Sequence, residues 1–282
     1  MKDAFRCIFS VHITECCEVT KMLTKEKIYE QLKIFGFAVG KPVLVHTSLK
    51  AVGEIDGGGQ TLLDCLIDYF TQKDGLFCVP THTWNTGSLD MTKSETCIGV
   101  LPNLAAADPR GTRTPHPSHS MAVFGKSELV AEFVKGEEKV TTPASPHGCY
   151  GKIYDMDGHI MLLGVGHNKN TYLHCVEEML NVPNRLSENP GNRTVIDKNG
   201  TVRKVFTHGH HACGIPDVSA NYIKYEPAFR YHGCIVDGTL GNAPVQMCSA
   251  RRMKDVVELV DKRRNGAELL SDNSPLDEKL YK

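Results

Sequence analysis

The stretch Ile160–Leu180, IMLLGVGHNKNTYLHCVEEML, passes from an apolar strand end (Ile160–Leu163) through a Gly/Asn/Lys turn into a helix. Thr171, His174 and Glu177 follow one another at intervals of three near the start of that helix. At about 100° per residue this spacing places them on one slanted stripe. A hydroxyl, an imidazole and a carboxylate on one face have the composition of an acid–base site. The same residues also suit an ordinary first turn, with Thr171 or Asn170 as N-cap. Glu178 is a second candidate to orient His174. Cys175 points about 100° away from His174, which speaks against a Cys–His nucleophile.

Two earlier segments repeat the theme. Pro42–His46 (PVLVH) is a β-branched run that exits at His46-Thr47-Ser48, and Leu49–Gly59 (LKAVGEIDGGG) then leads into a helical period over Gln60–Phe70. Gly75–Pro80 (GLFCVP) exits at Thr81-His82-Thr83-Trp84. If the three strands lie side by side, their polar exits line one cleft, and strands alternating with helices predict an α/β fold. The Gly57-Gly58-Gly59 turn is either a cradle for a ligand or simply a turn. It is neither a Walker A loop nor a dinucleotide fingerprint.

The 282 residues, 41% hydrophobic and 23% charged, fit a globular enzyme. A net charge of −1 gives no overall pull towards nucleic acid or an anionic membrane, and no apolar run reaches the ~20 residues that span a bilayer. Eleven scattered cysteines without a CxxC pair fit a reduced, cytoplasmic setting. Residues 1–21 read as an N-terminal extension without the features of a secretory signal, with Met22 as a candidate start. Residues 22–270 read as one domain and 271–282 as a flexible tail. Thr24 reads as the N-cap of a helix that buries Leu23, Ile28, Leu32 and Phe35.

Asn85–Gly99 reads as a polar surface loop, Val195–Val205 around Asn199-Gly200 as a β-hairpin, and 250–264 as an amphipathic helix. Two histidine patches stand out. His116 and His119 sit in TRTPHPSHSMAVFG (112–125), and His208, His210 and His211 precede Cys213. Neither patch shows a full ligand spacing for zinc, so no metal ligand is assigned. A metal-dependent hydrolase using His208–His211 is the rival reading.

His46-Thr47-Ser48-Leu49, Val52-Gly53, Gly57-Gly58-Gly59, Val79-Pro80-Thr81-His82-Thr83-Trp84, His116-Pro117-Ser118-His119-Ser120, Ser145-Pro146 and Thr171-Tyr172-Leu173-His174-Cys175-Val176-Glu177 occur in this order. Together, over about residues 22–265, they resemble the aminoglycoside 3-N-acetyltransferase family. The resemblance implies a single-domain α/β sandwich, with a central mixed sheet flanked by helices. It also implies transfer of acetyl from acetyl-CoA directly to an amine of an aminoglycoside, by a monomer or homodimer. In that reading His174 is the general base, Glu177 orients it, and Thr171 donates to the thioester oxygen. Coenzyme A would contact His46, Thr47, Ser48, Leu49, Val52, Gly53 and Ser120. Polycationic antibiotics need an acidic pocket, for which Asp90, Glu95, Asp108, Glu188 and Asp217 are available. Leu89–Gly99 diverges from the family pattern, which leaves another small amine as the alternative acceptor.

Overall fold

A computed structural model describes residues 22–282; the expectations for 1–21 lie outside the described residues. The strands are β1 (Pro42–Thr47), β2 (Leu76–Pro80), β3 (Ser88–Asp90), β4 (Thr112–Arg113) and β5 (Met121–Phe124), then β6 (His159–Leu163), β7 (Gly191–Ile196), β8 (Val202–Thr207), β9 (Ile235–Leu240) and β10 (Ala243–Ser249). Seven of them form a mixed sheet in the order β4-β5-β2-β1-β6-β10-β9. Its centre is parallel, with β1 between β2 and β6, and both flanks run antiparallel. The three strands whose exits carry the motifs are thus neighbours, and the α/β sandwich with a central mixed sheet is what the chain builds.

Side chains alternate along these strands, so each strand feeds two cores. Leu44, Cys78, Val123, Ile160, Leu162 and Cys248 pack on one face with the helices Cys149–Asp155, Tyr172–Met179 and Ala250–Arg263. Val43, Val45, Phe77, Val79, Met161 and Leu163 pack on the other, against the helices Lys25–Leu32, Gly58–Phe70 and Val100–Ala107. Burial on both faces is why the central strands read as unbroken apolar runs rather than alternating ones. Thr24 caps the first helix by accepting from Lys27 N, and Leu23, Ile28, Leu32 and Phe35 are buried as its period requires.

The segment 85–99 differs from a plain surface loop. Leu89 is fully buried, and β3 pairs in parallel with β7 of the β7–β8 hairpin, making a second, three-stranded sheet. Three residues are too few for a periodic signal. Within 271–282, Leu276 and Tyr281 are buried, and Tyr281 O accepts from His232 Nε2 at 2.7 Å. Gly57 supplies the N-cap of the Gly58–Phe70 helix at φ 75°, where a Cβ would collide with Thr61 Oγ1. The eight cysteines among the described residues are free thiols. Among the described residues no helix is long and apolar enough to cross a membrane.

Candidate active site

A cavity of about 800 Å³ opens where β1, β2 and β6 end. Pro80, His82 and Trp84 come from the β2 exit, His46 and Thr47 from β1, and Thr171 and His174 from the start of the Tyr172–Met179 helix. Ends of neighbouring parallel strands are where such sheets bind ligands, because loops and helix N-termini converge there.

Thr171 precedes the helix with αR backbone angles and its side chain makes no capping bond, so its hydroxyl is not engaged by the helix end. The His174 and Glu177 side chains do not meet directly. Nδ1 of His174 is 3.8 Å from Glu177 Oε2, too far for a hydrogen bond, and the Tyr222 hydroxyl stands between them. Tyr222 Oη is 2.7 Å from His174 Nδ1 and donates to Glu177 Oε2. Glu177 Oε1 accepts from Arg185 Nε at 2.8 Å, and Arg185 Nη2 in turn pairs with Glu268 at 2.8 Å. Burial pushes the Glu177 carboxyl up, but His174, Arg185 and Tyr222 together hold it below the usual carboxylate range. An ionised carboxylate can only accept, so Tyr222 spends its one proton on Glu177. The Tyr222 oxygen therefore accepts from His174 Nδ1–H, and in the neutral form of this cavity-lining ring the lone pair lies on Nε2.

Glu178 is engaged elsewhere: it accepts from Thr142 Oγ1 at 2.5 Å and from Ala144 N at 3.1 Å. Cys175 is fully buried, and burial pushes its thiol well up. Tyr222 and Arg185 were not legible as site residues, since 48 positions separate Tyr222 from His174 and no local spacing marks them.

Histidines form the rest of the wall. The His210 ring stacks on His174 with centroids 3.7 Å apart, His119 meets His210 edge-on at 4.8 Å, and His82 lies 4.5 Å from His119. His82 Nε2 is 2.9 Å from the Tyr150 hydroxyl. Burial holds His82, His119 and His210 well below the ordinary histidine value, and His46 down to about 3. These rings are therefore neutral at pH 7. The run His208–His211 does not converge: His208 Nδ1 bonds Ser187 O at 2.6 Å, while His210 turns onto His174. Among the described residues no three His, Cys, Asp or Glu side chains are placed to share a metal ion.

His46 Nε2, Thr47 Oγ1 and His210 Nε2 are buried without a hydrogen-bond partner, and all three residues line the cavity. Such groups are suited to hold a polar ligand. The remaining residues expected to touch a cofactor stand apart from the cavity wall. Ser48 accepts from Ala51 N and starts the short Leu49–Val52 helix, Val52 is buried in the core, and Gly53 turns the chain at φ 92° beside Asn242. Ser120 is fully buried, donates to Thr81 O at 2.8 Å and accepts from Arg113 Nε at 3.4 Å. The Gly57–Gly59 turn does not line the cavity either.

A family model described as aminoglycoside 3-N-acetyltransferase matches residues 44–260. The SPbeta prophage-derived aminoglycoside N(3')-acetyltransferase-like protein YokD of Bacillus subtilis is 27% identical over 184 residues, 55% of this chain and 64% of that protein. The chain thus spans just under two thirds of that relative's length. Aminoglycoside N(3)-acetyltransferase IV of Salmonella is 27% identical over 191 residues, 67% of this chain and 70% of that protein. A solved structure of a mutant of aminoglycoside acetyltransferase AAC(3)-IVa in complex with a gentamicin superposes with a TM-score of 0.73 at 21% identity. It covers 90% of this chain and 96% of that one. The binary structure of AAC-IIIb with CoASH gives a TM-score of 0.72 at 18% identity, covering 86% of this chain and 98% of that one. At such identities the structural likeness shows a shared fold.

Proposed function

This chain belongs to the aminoglycoside 3-N-acetyltransferase family, and from that premise we propose that it is an acetyl-CoA-dependent N-acetyltransferase whose general base is His174. The observation that carries this reading is the chain His174–Tyr222–Glu177, which runs from a cavity-lining imidazole to a carboxylate buried behind it. It keeps the His174 ring in one tautomer, with Nε2 free to take a proton.

The amine nitrogen attacks the thioester carbonyl carbon; the C–N bond forms, the C–S bond breaks, and the departing sulfur leaves as thiolate. Nε2 of His174 removes the proton from the attacking nitrogen and returns it to the sulfur. The positive charge on the ring during this step is stabilised by Glu177 through the Tyr222 hydroxyl, with Arg185 and Glu268 fixing the carboxylate. Transfer is direct: no cysteine lines the cavity among the described residues, and Cys175, next to His174 in the chain, is fully buried. The hydroxyl of Thr171, uncommitted at the helix start, serves as a donor to the carbonyl oxygen as it gains charge.

Coenzyme A enters as cosubstrate. His46 and Thr47, with their unpartnered polar atoms, are the contacts on its path. The relatives' names make the 3-amino group of an aminoglycoside the first acceptor to try. Thiol release from acetyl-CoA in the presence of an amine tests the proposal. Dependence of that release on both the amine and His174 supports it, and equal rates from the wild type and His174→Ala would reject it.

A further inference from the structure

The electrostatics of the cavity are at odds with a polycationic acceptor. Of the residues that line it, Asp217 carries the one carboxylate, against two cations, Lys169 and Arg193. Arg193 Nη1 donates to Thr86 O at 2.7 Å, and neither cation pairs with a carboxylate among the described residues. The acids that could have supplied a negative pocket stand elsewhere. Asp90 accepts from Thr92, Asp108 pairs with Arg110, and Glu95 and Glu188 do not reach the wall. Glu177 lies just behind the wall and does not line it; Arg185 is shared between it and Glu268, so this cluster keeps one negative charge, held behind His174 rather than facing the acceptor. If the phosphates of coenzyme A took up both Lys169 and Arg193, the acceptor would still meet a single carboxylate. A substrate with several ammonium groups would leave most of them unpaired in a partly closed site, which costs affinity.

Besides the neutral histidines and the uncharged polar residues Thr47, Ser118, Asn168, Asn170, Thr171 and Ser219, the wall carries an apolar portion. Trp84, 51% exposed, stands at the β2 exit, and Ile98, Pro102, Val165, Ile215 and Val218 belong to the same portion. An exposed indole at a cavity wall offers a flat surface for an apolar or aromatic body.

Resting on the acetyltransferase reading above, we propose that the acceptor is a small primary amine with no more than one positive charge, carried on an apolar or aromatic body, and is not a polycationic aminoglycoside. The ammonium group is drawn to Asp217 and, once deprotonated, presents its nitrogen to His174; the body lies against Trp84 and the apolar side chains beside it.

Initial rates of thiol release from acetyl-CoA, measured with phenethylamine, spermidine and gentamicin, test this. The expected result is a kcat/KM for phenethylamine at least about tenfold above that for either polycation. Gentamicin or spermidine equal to or better than phenethylamine would overturn the proposal and leave the acetyltransferase reading standing. Thiol release with none of the three would overturn both. In the double variant Lys169→Glu/Arg193→Glu the ratio of gentamicin to phenethylamine kcat/KM is expected to rise about tenfold or more. An unchanged ratio would reject the charge argument. Should that variant not fold, the wild-type series decides by itself.

Discussion

The Tyr222 hydroxyl lies 2.7 Å from His174 Nδ1 and donates its proton to Glu177, so the carboxylate governs the imidazole through a phenol. Removing the base itself, His174→Ala, is expected to lower kcat by about 10²–10⁴. Tyr222→Phe keeps the buried ring but deletes the link, and kcat is expected to fall by about ten- to a hundredfold with KM for acetyl-CoA little changed. Steady-state kinetics that separate kcat from KM check both. A Tyr222→Phe enzyme that merely melts earlier, with undiminished kcat, would reduce Tyr222 to a packing residue.

The two adjacent glutamates are expected to respond differently. Glu177 is 3% exposed and bonded to Arg185, so Glu177→Gln leaves a buried guanidinium with Glu268 as its one carboxylate partner. The expected cost is about 2–4 kcal/mol in urea unfolding, together with a loss of turnover of tenfold or more. Glu178 meets Thr142 and the Ala144 amide, both bonds that a Gln can in part retain. Glu178→Gln is therefore expected to cost about 1 kcal/mol or less, with turnover within a few fold. A larger activity loss in the Glu178 variant would reverse the assignment.

What could be read beforehand follows from the range of each signal. The neighbours β1, β2 and β6 were legible because each is an apolar run that ends abruptly in Thr, His or Gly, a change within a few residues. The His174–Glu177 stripe was legible because helical period is local, though the 3.8 Å gap that Tyr222 fills was not. Contacts such as Tyr222–His174 depend on how the 3-10 segment Val218–Tyr225 docks, and nothing within a window of sequence encodes that. Strands β9 and β10 gave no reading. Ile235–Leu240 mixes exposed Val236 and Asp237 with a glycine at the sheet edge, which blurs its alternation. The stacking of His210 on His174 was hidden for the opposite reason: four closely spaced polar residues suggested a metal, while the fold sends His208 and His210 to different partners.

Ser120 separates a binding role from a structural one. Its hydroxyl is fully buried between Thr81 and the buried Arg113 guanidinium, whose other bonds go to the carbonyls of Ser94 and Thr81. Ser120→Ala is expected to destabilise the protein by about 1–2 kcal/mol and to leave KM for acetyl-CoA within about twofold. Thr47→Val, which deletes an unpartnered hydroxyl on the cavity wall, is expected to raise that KM while stabilising the fold slightly. The opposite pattern, with Ser120 controlling KM, would return coenzyme A to the Ser120 side.

Stability is expected to fall on mild acidification, before ordinary carboxylates titrate. Burial holds His46 to about 3, and His116, His159 and His167 to about 4, against about 6.5 in an unfolded chain. His82, His119 and His210 are depressed in the same direction. As pH drops below about 6.5 the unfolded chain takes up protons that the folded chain refuses, so stability is lost progressively down to about pH 4. Each such histidine contributes a slope of about 1.4 kcal/mol per pH unit. Glu137 and Glu178, pushed up by burial, bind protons in the folded state and oppose the trend, but they are two groups against seven. Glu177, held below the usual carboxylate range, adds a further loss only below about pH 4. Urea melts at pH 7, 6 and 5 are expected to show an unfolding free energy that drops by more than about 1.4 kcal/mol per unit. A flat profile over this range would mean that the buried histidines are already charged or reach solvent, and the neutral histidine wall described around His174 would have to be abandoned.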